Sequence, residues 1–469
     1  MKENKNNKKQ SRFQSKIKID SLVRRNGFNI VFGGENRYGV RYDTEIFSGL
    51  NLNLKKTLAD NFVYARTRQL AFGVDPVMEY QFARPDLADF ADFGIVKDFG
   101  KIADANGQKT KKFINAFQAD KKKKISYSVD RRRYPLIPQK QTLANRAILA
   151  ISFGKDSLLS YGLAKELGID CRLVFVREME NLNSVEAKFK RRIIRDFIKK
   201  ESVQISYLYD NADEIFMSKV LNRKIKEFDN TNGMLAFLLE LLPLAYYHRA
   251  KYVIFGNEAN FSDYFINRDG YKAFPSFDQS VVYAKKLNQY LMRCTRGNLQ
   301  SVSLVEPLYN LAEMRILHHR YPDLLQYLMS CSPEKRGSEK WCYECPMCAK
   351  AYLYFVAVGG VPKQIGFNRN FFEKKYLRQY ALFSTEMPRA YEKPPAVRDE
   401  QLLAFLLSYR RGIRGDLMEL FVKNFLFEAK KREKSLRQKF FSLHAFASVP
   451  GCYEKKLSNI FKTELKEFL

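Results

Sequence analysis

Residues 152–157, with the sequence SFGKDS, combine residue types that bind phosphate groups. They lie between an apolar run at 147–152, typical of a buried strand, and a helical pattern at 158–167. A glycine turn between a strand and a helix presents backbone N–H groups and the positive end of the helix dipole. The segment therefore predicts a pyrophosphate site. An ordinary strand–helix turn with an Asp or Ser cap is the alternative.

The side chains of this segment fit the same chemistry. Ser152 and Ser157 offer hydroxyl donors, and Lys155 offers a positive charge that attracts phosphate oxygens. Asp156 would repel a phosphate, so we expect it to hold Mg²⁺ or to cap the helix that follows. The segment thus carries candidates for binding an anion and a divalent cation.

Four of the seven cysteines form a second cluster, Cys331, Cys342, Cys345 and Cys348. Three of them follow the pattern CxxCxxC. Four thiolates at this spacing predict a tetrahedral zinc site, and its role would be structural because no coordination position stays open. An iron–sulfur cluster needs similar ligands and is one alternative. Buried free cysteines are the other.

A polar and aromatic segment, residues 256–280, follows an apolar run at 252–255. A loop this polar after a buried strand predicts a substrate-binding segment. A surface loop with capping residues is the alternative. The side chains that could act as an acid or a base are Glu258, Asp263, Tyr264, Lys272 and Asp278.

The middle of the chain must position these residues. Strand-like runs alternate there with helical patterns, which predicts βαβ units and an α/β fold with a parallel sheet. Ligands of such sheets bind beyond the carboxyl ends of the strands. The predicted strands are 147–152, 171–176, 203–209 and 252–255, and the predicted helices are 158–167, 185–201 and 234–249.

The remaining chain divides into three regions. The sequence predicts a mobile basic head at residues 1–20. It predicts mixed structure at 21–140, with strands at 28–32 and 38–42 and a linker or exposed loop at 121–138. Residues 141–361 form the predicted nucleotide-binding domain, with a zinc knuckle. Residues 362–469 predict a helical region, with helices at 401–407, 415–427 and 435–446.

The composition limits the classes of protein. Of 469 residues, 46% are hydrophobic, which excludes global disorder. No apolar run reaches the ~18 residues of a membrane span, and the basic head has no apolar core of a secretory signal. With 81 Lys and Arg against 51 Asp and Glu, the net charge is +30. It indicates a general basic surface, and binding of phosphate-bearing partners is the alternative. The few, clustered cysteines indicate a reducing cytoplasm.

The segment SFGKDS resembles the SGGxDS loop of the PP-loop ATP pyrophosphatase superfamily, which cleaves ATP between the α and β phosphates. The resemblance implies a nucleotide site made by Ser152, Phe153, Gly154, Lys155, Asp156 and Ser157. It also implies that Val176 lies near the adenine and that Gly256 begins a second nucleotide-facing loop. Phe153 departs from the commonest form, which has glycine. We expect its side chain to narrow the approach of the backbone to the phosphates.

The order of the motifs is also similar to one family within that superfamily. SFGKDSLLSYGLAKELG is followed by GNEANFSDYF, FPSFDQS and the WCxxCPxC knuckle. Over about residues 20–370 this resembles the UDP-N-acetylmuramoyl-L-alanyl-L-glutamate epimerases. The resemblance implies epimerisation of the terminal L-Glu to D-Glu through an acyl-adenylate, in peptidoglycan precursor synthesis. The sequence does not identify the base, and the candidate catalytic residues are Lys155, Asp156, Glu258, Asp263 and Asp278.

Two other functions stay open. The cysteine pattern also resembles that of 7-cyano-7-deazaguanine synthase, and the charge suits tRNA. A nucleobase- or tRNA-modifying PP-loop enzyme is therefore the first alternative. The second is a protein that binds nucleotide or nucleic acid without catalysis, which Phe153 would favour.

Overall fold

Strands and helices alternate along most of the chain. The computed structural model describes residues 16–129, 143–178, 185–221, 224–229, 231–295, 297, 299–331, 339–384 and 393–469. The strands in these ranges are β1 (Lys16–Arg24), β2 (Gly27–Phe32), β3 (Glu35–Arg41), β4 (Val77–Tyr80), β5 (Ile125–Tyr127), β6 (Ala144–Ala150), β7 (Asp170–Glu178), β8 (Ile205–Asp210), β9 (Ala250–Ile254), β10 (Phe265–Ile266), β11 (Lys272–Ala273) and β12 (Gln300–Val302).

The α-helices in the described ranges are α1 (Thr44–Ser48), α2 (Leu52–Thr67), α3 (Ala88–Ala105), α4 (Thr110–Lys123), α5 (Lys155–Glu166), α6 (Val185–Glu201), α7 (Gly233–Tyr247), α8 (Val281–Cys294), α9 (Asn310–Arg320), α10 (Pro346–Ala357), α11 (Pro395–Arg410), α12 (Asp416–Asn424), α13 (Leu426–Phe441) and α14 (Gly451–Leu465).

One mixed sheet organises the described part of the chain. Its ten strands follow the order β12-β9-β6-β7-β8-β3-β2-β1-β4-β5. The first five are mutually parallel. β3 then pairs antiparallel with β8, and β1 to β3 form an antiparallel meander, with β4 and β5 parallel to β1. The predicted α/β class with a parallel core is confirmed.

The side chains of β6 point alternately to two hydrophobic cores. Ala147 and Leu149 face one hydrophobic core, which also contains residues of α5 and α9. Ile148 faces the other core, with residues of α2 and α7. Successive strand side chains point to opposite faces, so a short continuous apolar run is what a doubly covered strand requires.

The N-terminal region differs from its prediction in three places. β1 begins at Lys16, inside the predicted mobile head, and pairs with β2. The predicted loop from residue 121 contains the end of α4 and all of β5, which joins the sheet. Residues 130–142, including the predicted boundary at 140/141, lie outside the described residues. Sheet and core continue across that boundary, because β3 pairs with β8.

The C-terminal region is helical as predicted, but its helices pack into the main core. Residues of α11, α13 and α14 share one hydrophobic cluster with those of α9 and α10. The helix predicted at 415–427 ends at Asn424, α13 begins earlier than predicted, and α14 has no counterpart in the prediction. α7 is the buried helix that its apolar run predicted. Among the described helices, none has the length and apolar character needed to cross a membrane.

Candidate active site

A cavity of about 890 Å³ opens at the carboxyl ends of β6, β7 and β9. Parallel sheets of this kind bind ligands at that edge. Predicted site residues that line it are Ser152, Gly154, Lys155, Asp156, Ser157, Val176, Gly256 and Glu258. Its size is typical of a small-molecule site. The strand–loop–helix unit and the second loop therefore meet at one cavity, as the sequence predicted.

The loop after β6 leads directly into α5. Gly154 is the N-cap, and its carbonyl accepts a hydrogen bond from Ser157 Oγ at 3.1 Å. Ser152 Oγ accepts from the Gly154 amide at 3.3 Å and lies 3.3 Å from Ser157 Oγ. The alternative that Asp156 is the N-cap is wrong, because Asp156 lies inside the first turn. The positive end of α5 therefore faces the cavity.

Phe153 has a left-handed backbone, with φ of 63°. A residue with a side chain pays about 1–2 kcal/mol for this conformation, which glycine adopts freely. The side chain is fully buried, and its ring packs edge-on against Phe197 with centroids 5.4 Å apart. Phe153 does not line the cavity, whereas Ser152 and Gly154 do. The expectation that the ring narrows the approach to phosphates is therefore wrong.

Gly256 lies beside the first turn of α5. A Cβ atom at this position would lie only 2.6 Å from Cβ of Asp156, closer than packed carbons allow. The loop after β9 can approach the loop after β6 because residue 256 has no side chain. This close approach places Glu258 next to Lys155.

Three carboxylates surround the ammonium of Lys155. Lys155 Nζ donates to Asp156 Oδ1, to Glu258 Oε2 at 2.5 Å and to Glu313 Oε2 at 3.2 Å. One oxygen from each carboxylate lies within 4.8 Å of the others, so the group could hold a metal ion. Asp156 is about one-third exposed, at 34%, whereas Glu258 and Glu313 are buried at 6% and 0%. The cluster therefore opens to the cavity on the Asp156 side.

The four charges change each other's pKa. Burial lowers the pKa of Lys155, but the three carboxylates outweigh it and hold this pKa well above its ordinary value. Burial raises the pKa of Glu313 strongly and that of Glu258 less. For Asp156, Lys155 outweighs burial and holds the pKa below its ordinary value. With all three carboxylates ionised, one ammonium would leave negative charge that a further cation would neutralise. Without such a cation, the raised pKa of Glu313 favours its protonated form.

Glu313 is the member of this group that the sequence analysis missed. It lies on α9, 158 residues from Lys155, in a stretch whose residues from Asn310 to Leu317 are all buried. Charged side chains are rarely fully buried unless they are paired. A glutamate in this otherwise apolar stretch was therefore the available signal. It could not show which residues the carboxylate would meet.

Two predicted catalytic residues lie away from the cavity lining. Asp263 accepts from the Tyr309 hydroxyl at 3.1 Å and lies 3.7 Å from Lys439 Nζ. Asp278 accepts from the Met234 amide at 2.9 Å and so binds the first turn of α7. Both carboxylates are thus held by neighbouring elements. The structure does not support their predicted catalytic role.

Tyr264 and Lys272 are also absent from the lining. The ammonium of Lys272 lies 4.4 Å from the ring centroid of Tyr264, which is 44% exposed. Tyr264 directly precedes β10, and Lys272 is the first residue of β11. Of the five predicted acid–base candidates, all within the described residues, Glu258 is the one that reaches the cavity.

The four clustered cysteines lie together, as predicted. Sulfur–sulfur distances are 4.0 Å for Cys331–Cys345, 3.6 Å for Cys342–Cys348 and 3.5 Å for Cys345–Cys348. A tetrahedral zinc ion with Zn–S bonds of about 2.3 Å would hold its sulfurs about 3.8 Å apart. The cluster could therefore hold a structural zinc ion. An iron–sulfur cluster would hold the four sulfurs further apart, so the geometry favours one ion.

Aromatic packing supports this knuckle. Trp341 is buried, stacks on Phe367 with centroids 4.3 Å apart, and donates to the Ile365 carbonyl at 2.8 Å. Pro346 begins α10, which carries Cys348 in its first turn. These contacts anchor the loop before α10 independently of the metal.

The chain matches no known protein-family model, and no curated protein is significantly similar to it in sequence. The resemblance to PP-loop enzymes therefore stays a prediction.

Proposed function

We propose that this chain is a PP-loop enzyme that cleaves ATP between the α and β phosphates. The observation that carries the proposal is a cluster of three carboxylates beside the loop after β6, two of which, Asp156 and Glu258, line one cavity of about 890 Å³. The helix N-terminus and Lys155 suit a polyphosphate. Excess carboxylates beside it suit the cation that accompanies ATP.

The residues that would hold Mg²⁺ are Asp156, Glu258 and Glu313. Oxygen donors are the ligands that Mg²⁺ prefers, and these donors belong to one compact group. With all three ionised and Lys155 protonated, the group carries two excess negative charges, the charge that one Mg²⁺ would balance. Bound there, the ion would supply charge stabilisation to the departing pyrophosphate.

The cavity also offers room for the nucleoside. Val174 and Val176, in the carboxyl-terminal half of β7, also line it. An apolar strand end beside a phosphate site suits an adenine ring. Gly256 permits the close approach that closes the phosphate end of the cavity.

We propose that the carboxylate to be activated is the terminal L-Glu of UDP-N-acetylmuramoyl-L-Ala-L-Glu. Its α-carboxylate oxygen attacks the α-phosphorus, and pyrophosphate leaves. The resulting acyl-adenylate makes the α-proton more acidic, so a base removes it and an acid returns a proton on the opposite face. Water then cleaves the anhydride, which releases AMP and the D-Glu product. Glu258 is the acid–base candidate retained, since it reaches the cavity.

Epimerisation can be tested directly with purified protein, Mg²⁺, ATP and UDP-N-acetylmuramoyl-L-Ala-L-Glu. We expect D-Glu after hydrolysis and chiral chromatography, with one AMP per activated substrate. Asp156→Asn should reduce the rate by about 100-fold or more, because it removes a charged ligand of the Mg²⁺ ion that would stabilise the departing pyrophosphate. The matched control is Asp323→Asn, since Asp323 is 85% exposed.

Two results would contradict the epimerase assignment. The first is AMP formation that does not depend on this peptide. The second is AMP formation with all glutamate remaining in the L form. The first result would leave the proposed ATP cleavage standing. It would favour the alternative that the enzyme modifies a nucleobase or tRNA.

One surface favours an RNA substrate as the second candidate function. Six cationic residues of α6 are exposed, Lys188, Arg191, Arg192, Arg195, Lys199 and Lys200. Such a surface binds phosphate backbones in a salt-dependent manner. If the enzyme modifies tRNA, tRNA rather than the nucleotide-sugar peptide should stimulate AMP formation. Binding should weaken steeply between 50 and 200 mM salt, by about a thousandfold for a surface that makes six phosphate contacts.

A further inference from the structure

Lys190 is a buried cation beside the loop that follows β6 (residues 152–154), which is the phosphate loop of the proposed function. It lies on α6, is 6% exposed, and lines the main cavity. Its ammonium donates to the carbonyl of Ser152 and, at 2.9 Å, to the carbonyl of Met329. A buried lysine is costly unless its charge is satisfied. Here it joins two backbone segments that are far apart in the sequence.

Met329 is bound to the phosphate loop a second time. Its amide donates to the carbonyl of Phe153 at 2.8 Å. Phe153 is the residue with the left-handed backbone, and its ring centroid lies 5.8 Å from the Lys190 ammonium. A strained backbone persists only where its surroundings hold it. Lys190 and Met329 are two such supports.

The same segment leads into the cysteine cluster. Cys331 follows Met329 by two residues, and both line the cavity. Cys331 is buried, at 1% exposure, and lies 4.0 Å from Cys345. From the other side of the cluster, Lys350 on α10 also lines the cavity. Residues of the cysteine cluster and of the phosphate loop therefore line the same cavity.

We infer that Lys190 is a positioning residue that couples metal occupancy of the four cysteines to nucleotide affinity at the phosphate loop. The inference rests on the proposed function, because it assumes that the loop binds ATP. A metal ion that holds Cys331 also holds Met329, and Met329 with Lys190 holds the carbonyls of Ser152 and Phe153. The coupling must be reciprocal, so bound nucleotide also retains the metal.

The first test measures ATP affinity by calorimetry, without the acceptor substrate, in zinc-loaded and zinc-stripped protein. In the zinc-loaded state, Lys190→Met should weaken ATP binding about tenfold or more, since it removes two charge-assisted hydrogen bonds. Lys190→Arg keeps the charge and the donors and should recover part of that loss. Lys423→Met is the control, because Lys423 is exposed on α12 and belongs to neither the cavity nor the cationic surface of α6.

The pattern across the two metal states is decisive. Removing zinc should weaken ATP binding in the wild type by a larger factor than in Lys190→Met, because the variant has already lost the link. Equal factors in the two proteins would mean independent sites and would overturn the inference. Circular dichroism of each stripped protein confirms that it remains folded.

A second test does not depend on ATP. Transfer of zinc to a coloured chelator should be several-fold faster from Lys190→Met than from the wild type, with Lys423→Met unchanged. Equal transfer rates would overturn the inference and leave the proposed function standing. Absence of ATP binding to zinc-loaded wild-type protein would instead overturn the proposed function, and with it the coupling to nucleotide.

Discussion

Phe153 shows how far a single residue can be interpreted from the sequence. The motif predicted its position in the phosphate loop, and the departure from glycine was visible. Whether the ring would narrow the approach to the phosphates depended on the direction of the side chain. The side chain enters a core that includes Phe197 and Phe175. A single position in a sequence does not show which partners a side chain will meet. The ring therefore stabilises the loop from the side of the core and does not line the cavity.

Substitution of Phe153 should reverse the usual order of alanine and glycine. Both Phe153→Ala and Phe153→Gly lose a buried ring, which costs about 3–5 kcal/mol. Glycine also removes the cost of the left-handed backbone, about 1–2 kcal/mol, which alanine retains. We expect thermal melting of Phe153→Gly above that of Phe153→Ala, with both below the wild type.

The control for this comparison is an ordinary helical position. Lys97 is exposed within α3, so Lys97→Ala should melt above Lys97→Gly, by the equivalent of about 1 kcal/mol. If the two Phe153 variants follow the same order as the Lys97 variants, the backbone at Phe153 is not strained.

At the scale of elements, the sequence predicted those with a strong local pattern. β6 to β9, α5, α6 and α7 were all predicted, with ends displaced by a few residues, because apolar runs and helical periods define them. β1, β5 and α14 were not predicted. β1 and β5 carry polar residues because they are only partly buried at the far side of the sheet. Their structure depends on pairing with distant strands.

Glu400 connects three helices and should make stability depend on pH. On α11, its carboxylate accepts from the Leu311 amide at 2.9 Å and from Asn310 Nδ2 at 3.2 Å, both on α9. Tyr354 on α10 also donates to it, at 3.3 Å. Burial raises the pKa of Glu400 to about 7, with a smaller raising effect of Glu258. Lys155 and Lys350 act in the opposite direction.

The sign of this dependence follows from where the proton is held. The folded protein binds the Glu400 proton more tightly than the unfolded chain, whose pKa is about 4.3. Its contribution to stability is therefore complete below about pH 4.3 and is lost as the pH rises to about 7. The loss is on the order of 3 kcal/mol. We expect Glu400→Gln to gain stability relative to the wild type over this interval, measured by thermal melting at each pH.

Glu454→Gln provides the control, because Glu454 is exposed on α14. Its melting temperature should differ from that of the wild type by a constant amount between pH 4.5 and 7. A constant difference for Glu400→Gln as well would contradict the assigned pKa of Glu400.

At the scale of the whole molecule, the candidate site joins residues from three parts of the chain. Lys155 and Asp156 follow β6, Glu258 follows β9, and Glu313 lies on α9. The first three could be predicted, since each follows an apolar strand at the edge where parallel sheets bind ligands. Glu313 could not, because its helix reaches the site only through tertiary packing. Asp278 was assigned to catalysis from its polar surroundings, but it binds the first turn of α7.

The products of ATP cleavage test the central claim most directly. Purified protein is incubated with Mg²⁺, ATP labelled at the α-phosphorus, and UDP-N-acetylmuramoyl-L-Ala-L-Glu, and the labelled products are separated. We predict labelled AMP, with pyrophosphate in equal amount. Glu313→Gln should reduce its rate of formation by about 100-fold or more, because it removes one charged ligand of the Mg²⁺ ion that would stabilise the departing pyrophosphate. Glu454→Gln should retain the full rate. Labelled ADP instead of AMP, or an unchanged rate in Glu313→Gln, would contradict the account.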